Sequence, residues 1–308
     1  MIAPLPDPRD AKASGADDRR SWTILELIQW TEKYFQKLGF ESPRLDAEVL
    51  LAQVLGSRRL ELYTDYGKLV EPDERATFRE YVRRRASREP VAYITGEREF
   101  YSLPFEVNPA VLIPRPETEH IVDAVLETFR DHSSGIVLLD LGTGSGNLAV
   151  AIAANLEGTR LDAVDASADA LEVACRNADR NGVRPKIRFL EGDLFAALPS
   201  GCGPYDAVVS NPPYISATSY EGLMEDVRKY EPRQALLDSR SVGQDGLGFY
   251  RALAETTREH LRPGGELIVE VGFDQATSVE KLFAEQRWHL KNKIRDYGGI
   301  DRVLVFTY

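Results

Sequence analysis

Between Ser21 and Pro90 the apolar positions follow a helical period. In "TILELIQWTEKYFQKLG" they fall at Leu27, Trp30, Tyr34, Phe35 and Leu38, with Thr23 and Glu26 at capping-box spacing and Gly39 as the stop. "PRLDAEVLLAQVLG" predicts a second helix ending at Gly56, and "EPDERATFREYVRRRASREP" a third with Pro72 in its first turn. Arg83, Arg84, Arg85 and Arg88, near the end of that third helix, read as a solvated face suited to the helix dipole. From residue 91 the period changes. "VAYITGEREFYSLPFEV" has short strand-like runs broken at Gly96 and Ser102, the pattern of a hairpin. A helix follows "LIPRPETE", and strands are predicted at 136–141, 160–165, 186–190, 205–210 and 266–272 with helical stretches between them. Two closing apolar runs, "RWHLKNKIRD" and "DRVLVFTY", are joined by "YGGI", which predicts an antiparallel hairpin. Such alternation predicts an α/β fold, a parallel sheet covered on both faces. The chain therefore divides into a tail (1–20), a helical module (21–90), a hairpin linker (91–115) and a larger α/β domain (116–308).

Composition narrows the class. No apolar run reaches the roughly 18 to 20 residues of a membrane helix, and "MIAPLPDPRDAKASGADDRR" mixes acids and bases without an apolar core, so a cytoplasmic protein with a disordered tail is expected. Net charge is −11, and residues 1–90 carry 16 basic and 16 acidic side chains, so the whole excess of acid falls in 91–308. A domain that grips many phosphates is basic, which argues against duplex nucleic acid as the main partner. Cys175 and Cys202 form no CxxC pair, and His120, His132, His260 and His289 stand singly, so neither a disulfide framework nor a metal site is indicated. Cys175, four residues after Leu171 in a helical pattern, reads as a small buried hydrophobe.

Two stretches carry chemistry. "VLLDLGTGSGNLAVAIA" is a strand, a glycine turn and a helix: Gly142, Gly144 and Gly146, with Thr143 and Ser145 between them, let a ligand approach the backbone beside a helix N-terminus. Asp140 precedes the glycines and Asp165 ends the next strand, where a carboxylate accepts hydrogen bonds from ribose hydroxyls. An acid ahead of the loop suits a ligand with a cationic amino group better than a pyrophosphate, which favours S-adenosylmethionine over a nicotinamide dinucleotide. A third strand end, "FLEGDLF", sets Asp193 as acceptor for an adenine amino group and Leu194 beside its face.

The second stretch, "AVVSNPPYIS", leaves its strand through two prolines. They remove N–H donors and fix φ, making Asn211 to Pro213 a rigid display of acceptors: the Asn211 side-chain oxygen and the Pro212 carbonyl. Such acceptors hold both protons of a planar amino group whose nitrogen is a poor nucleophile, and those bonds strengthen as the nitrogen becomes cationic. Tyr214 is placed to stack on that plane.

With "EPVAYITGEREFYSLPFEVNPAVLIPRPETE", "AVDASADALEVACRNADRNG", "EGDLF", "SNPPYI", "YEPRQALLD" and "GQDGLGFYRAL" added, the chain from about residue 21 closely resembles the bacterial protein-(glutamine-N5) methyltransferases that act on peptide chain release factors. The resemblance implies a class I S-adenosylmethionine-dependent methyltransferase, Rossmann-like with a seven-stranded, mostly parallel sheet. It implies methylation of the glutamine in the Gly-Gly-Gln loop of class-1 release factors, S-adenosylmethionine as donor, and no metal. Asn211, Pro212, Pro213 and Tyr214 would grip the glutamine amide; the glycine loop, Asp165 and Leu194 would line the cofactor together with Asn211, and Phe100, Arg115 and Glu119 would cover it. The helical module would help hold the release factor. A neighbouring branch methylates a glutamine of a ribosomal protein, and exocyclic amines of adenine or guanine are chemically similar targets; "PRPETE" and the acidic charge favour the release factor.

Overall fold

The computed structural model describes residues 21–130, 135–241 and 245–308; the tail 1–20 and His132 lie outside the described residues. Two compact units divide at Thr95 and Gly96.

In the first unit, helix α1 (Ile24–Lys37) begins at the expected capping box: the Glu26 carboxylate accepts from the Thr23 N–H at 3.0 Å and the Thr23 hydroxyl accepts from the Glu26 N–H at 3.3 Å. Helices α2 (Pro43–Val54) and α3 (Pro72–Ala86) follow the periodic pattern, and Ile28, Phe35, Leu50, Leu51, Phe78 and Val82 close the core between them. A short helix at Arg59–Thr64 was not predicted, because six residues with one buried side chain, Leu62, are too few for a period to show.

The arginine run departs from a solvated face. Only Arg83 is largely exposed, paired with Glu80. Arg85 is buried, its Nε donating to Asp46 at 2.8 Å and its guanidinium lying 4.1 Å from the Phe40 ring centroid. Arg88 donates to the Leu38 carbonyl at 2.6 Å over the same ring, and Arg84 pairs with Glu89. These arginines close the end of the module through long aliphatic stems and planar heads. Removing Arg85 leaves Asp46 poorly compensated, so Arg85→Ala is expected to cost about 2 kcal/mol, whereas Arg83→Ala stays within about 0.5 kcal/mol; thermal melting of the two variants checks this.

Val91–Thr95, read as strand-like, is a helix belonging to the first unit, since five residues do not distinguish the two periods. The hairpin itself is Glu97–Phe100 with Leu103–Glu106, and it belongs to the second unit. Segment 91–115 is therefore split between the two units rather than standing as a linker. Phe100 and Phe105 pack edge to face at 5.9 Å inside the second unit's core.

That unit is built on one seven-stranded sheet: β1 (Ile136–Leu141), β2 (Thr159–Asp165), β3 (Ile187–Glu191), β4 (Tyr205–Ser210), β5 (Leu261–Glu270), β6 (His289–Arg295) and β7 (Asp301–Thr307), in the spatial order β6-β7-β5-β4-β1-β2-β3. The first five pair in parallel and the last two antiparallel, with β7 inserted between β5 and β6. Helices α4 (Glu119–Phe129), α5 (Asn147–Asn155) and α6 (Ala168–Arg180) cover one face; α7 (Gly248–Thr256) and α8 (Ala276–Glu285) cover the other. Leu138 and Val209 feed the first core while Leu139, Leu141 and Val208 feed the second, so both sets of alternating side chains are buried. This is why these strands read as continuous apolar runs. Cys175, expected to be buried, is half-buried on α6 beside the buried Ala174.

Candidate active site

Strands β1, β2, β3 and β4 end together at Leu141, Asp165, Glu191 and Ser210, and the turns that follow them wall a cleft of about 440 Å³. Ligands bind at this edge of an open α/β sheet because β1 pairs with β2 on one side and β4 on the other, which leaves a crevice where the connections diverge.

The glycine loop is held from below. The Gly142 and Thr143 N–H groups both donate to the Val164 carbonyl at 2.9 Å, and Gly144 donates to the Asp165 carboxylate at 2.8 Å. All three glycines have positive φ. At Gly146 an added Cβ would stand 3.0 Å from the Ala174 Cβ, so the third glycine serves the close packing of α5 on α6. At Gly142 and Gly144 the space beside the backbone is open.

Gly142, Thr143, Gly144, Ser145, Asp165, Asp193, Leu194, Arg115, Asn211 and Pro213 line the cleft. Asp140 does not. It lies under the loop with no exposure, accepting from the Thr143 hydroxyl at 2.6 Å, while its Oδ1 is buried without a hydrogen-bond partner. Burial pushes its carboxyl up to about 7 against the pull of that hydroxyl. Burial also raises Asp165, opposed by N–H groups of Ser167 and Gly144. The exposed carboxylate of Asp193 is paired with Arg240, another residue of the cleft wall.

Two expected cover residues lie elsewhere. Phe100 is 1% exposed, in the core with Phe105, because it ends a hairpin strand whose inward side faces the sheet helices. Glu119 accepts from the Tyr101 N–H at 2.8 Å and so braces the hairpin turn. Neither is on the cleft wall.

Beside the cleft is a smaller hollow of about 170 Å³, lined by Leu112, Pro212, Tyr214, Leu223 and Val227 among others. Asn211 and Arg115 line both spaces. The Asn211 amide donates to the Thr118 hydroxyl at 3.0 Å, and that hydroxyl donates to Glu270 at 2.6 Å. The Tyr214 hydroxyl donates to the other oxygen of the same carboxylate at 3.3 Å. Burial pushes Glu270 up to about 7, opposed by the bonds from Thr118 and Tyr214 and by Arg302; Tyr214 is raised by burial first and by Glu270.

Long-range contacts bring the quoted motifs together. Arg115 donates to Glu231 at 2.6 Å, joining "PRPETE" to "YEPRQALLD". The Ile215 N–H donates to Leu236 and the Ile215 carbonyl accepts from Asp238, strapping "YEPRQALLD" onto the proline corner. Asn177 donates to the carbonyls of Glu106 and Ser145 and accepts from the Glu106 N–H, so one buried amide ties the hairpin to the glycine loop. Asn177, Thr118, Glu231 and Glu270 were not singled out in the sequence. Asn177 and Glu270 are signalled locally by a polar residue in an apolar helical or strand pattern, whereas Thr118, in a turn, and Glu231, at a helix end, have no periodic signal.

Gly246 explains part of "GQDGLGFYRAL". An added Cβ would stand 2.3 Å from the Tyr214 carbonyl oxygen, at φ +72°. Gly246→Ala is therefore expected to displace the end of the proline corner, costing about 2 kcal/mol of stability; thermal melting checks it.

The glycine loop, the strand-end acid and the acceptor corner on this sheet define a methyltransferase, and residues 120–226 match the methyltransferase small domain. Residues 26–96 match the PrmC N-terminal domain. The release factor glutamine methyltransferase of Rhodopirellula baltica is 42% identical over 288 residues, covering 92% of this chain and 95% of that one. That of Geobacter sulfurreducens is 43% identical over 283 residues, covering 92% and 96%. The chain belongs to the release factor glutamine methyltransferase family. Among solved structures, the catalytic domain of human METTL16 in complex with a MAT2A 3′UTR hairpin shares the fold, at TM-score 0.52 and 15% identity over 72% of this chain and 81% of that one. Among the described residues no helix is long and apolar enough to cross a membrane.

Proposed function

We propose that this protein transfers a methyl group from S-adenosylmethionine to the side-chain amide nitrogen of the glutamine in the Gly-Gly-Gln loop of class-1 peptide chain release factors. The observation that carries this reading is the placement of Asn211 on the shared wall of two spaces, a larger one suited to the donor and a smaller one suited to an amide side chain. The names of the relatives support the acceptor.

The donor set fits the cofactor. The open space at Gly142 and Gly144 is where a side chain would otherwise intrude, and Asp165 presents a carboxylate on the wall for ribose hydroxyls. Leu194 offers an apolar side to adenine, and Asp193 and Arg240 offer polar groups at its edge. Asp140, beneath the loop, acts at one remove through Thr143. When bound, the cofactor supplies a methyl group carried on a sulfonium.

The chain's own residues hold and orient the acceptor. A glutamine amide is a poor nucleophile because its lone pair is delocalised, so position is the main contribution available to the protein. The Asn211 oxygen and the Pro212 carbonyl accept the two amide protons and strengthen their hold as positive charge develops on nitrogen. Pro212 and Pro213 keep the corner rigid, and Tyr214, fixed through its hydroxyl and through Gln275 on its carbonyl at 3.0 Å, closes one side. The surplus proton leaves to water. The N-terminal helical unit is assigned to holding the release factor.

Incubation with methyl-labelled S-adenosylmethionine, a class-1 release factor, a ribosomal extract and an oligonucleotide tests the reading. Label on the single release-factor peptide that contains the Gly-Gly-Gln glutamine is expected. Label on a ribosomal protein or on the oligonucleotide, with the release factor unlabelled, overturns it.

A further inference from the structure

We propose that Thr118 and Glu270 are positioning residues that set the polarity of the Asn211 carboxamide, so that its oxygen rather than its nitrogen faces the methyl acceptor. The inference rests on the reading that Asn211 grips the glutamine amide.

A carboxamide's oxygen and nitrogen are nearly the same size, and only the hydrogen-bond network decides which way the group points. Turned the wrong way, Asn211 would present an amino group to an amino group, two donors facing each other. What selects the orientation is a one-way relay through three elements. Glu270 ends β5, is 2% exposed, and as a carboxylate can only accept. Thr118, 1% exposed at the end of the turn Pro116–Thr118, lies 2.6 Å from Glu270 and has one hydroxyl proton to give, so that proton goes to the carboxylate. The Thr118 oxygen is then an acceptor, and the Asn211 atom 3.0 Å away must be the nitrogen. The Asn211 oxygen is left on the other side, toward the cleft and hollow that Asn211 lines. The second oxygen of Glu270 takes the Tyr214 hydroxyl, so one carboxylate grips both ends of the Asn-Pro-Pro-Tyr corner.

The relay can run backwards. A protonated Glu270 can donate to Thr118, which can then donate to a flipped Asn211 oxygen, turning the nitrogen to the acceptor. Glu270 is faced by Tyr214 from the corner, Arg302 from β7 and Glu117 from the turn before α4, while the Tyr250 hydroxyl of α7 donates to the Glu270 backbone carbonyl at 2.9 Å. Burial is the largest influence and sets its titration at about 7. Folded with this carboxyl raised, the enzyme holds the productive polarity above that pH and loses it below.

The test measures kcat, KM and cofactor affinity against pH for four variants with a release factor as acceptor. Glu270→Gln and Thr118→Val are expected to lower kcat at least tenfold with cofactor affinity unchanged, and Glu270→Gln to abolish the acid limb near pH 7. Thr118→Ser, which keeps the hydroxyl, is expected to recover most of what Thr118→Val loses. If Asn211→Ala is inactive while Thr118→Val and Glu270→Gln keep kcat and the acid limb, the positioning role is overturned and the reading of Asn211 stands. If Asn211→Ala turns over normally, the underlying reading fails. Should Glu270→Gln fold poorly, Thr118→Val and its serine rescue decide alone.

Discussion

Asn211→Ala is expected to lower kcat by about 100- to 1,000-fold, the loss of about 2.7 to 4 kcal/mol seen when one preorganised partner of a developing charge is removed. The side chain sits at the end of β4 where the strand runs into two prolines, so no neighbouring group can move in to replace its oxygen. Its interaction is strongest in the transition state, when the acceptor nitrogen carries positive charge, so the loss belongs to kcat more than to KM. Affinity for S-adenosylmethionine is expected to change little, because the glycine loop and Asp165 are untouched. Single-turnover methylation of a release factor, beside calorimetric titration of the cofactor, separates the two quantities. Normal turnover by the variant would remove Asn211 from the mechanism.

Asp165→Ala is expected to do the opposite. The carboxylate accepts from the Gly144 N–H at 2.8 Å and the Ser167 N–H at 2.9 Å, and it stands on the cleft wall where ribose hydroxyls are assigned. Deleting it removes a charged acceptor from the ligand and loosens the loop that lies against the ligand, together about 3 kcal/mol, or roughly a hundredfold in cofactor Kd. With saturating cofactor most of the wild-type kcat is expected to return. Calorimetry across a range of cofactor concentrations checks this, and an unchanged Kd would show that Asp165 serves only the loop. Together the two variants separate donor binding at Asp165 from acceptor orientation at Asn211.

How much of this was legible in the chain depends on the range of the cause. The glycine loop was readable because strand, turn and helix are consecutive, and positive φ at three glycines is a local demand. The proline corner was readable for the same reason. Asp140 was misplaced because strand alternation says only that it faces away from Leu139 and Leu141, and not that the space there is filled by the loop itself. Phe100 was misplaced because a short hairpin can turn either side to the sheet, and Glu119, at the start of α4, because its partner is the Tyr101 N–H of the hairpin turn, 18 positions away. The arginine run misled because charge pattern alone does not reveal that Phe40 and Asp46 stand opposite Arg85.

The sequence by itself determined the alternating α/β plan, the strand ends that carry chemistry and the residue types there, since each follows from side-chain period, backbone sterics and proton inventory within about ten residues. The tertiary structure alone decided which way those groups face. Thr118, Asn211 and Glu270 come from three segments far apart in the chain, and Arg115 meets Glu231 across 116 positions. The link from Asn211 through Thr118 to Glu270 exists only once β5 and β4 lie side by side, and on the proposed reading this packing orients the asparagine beside the two prolines.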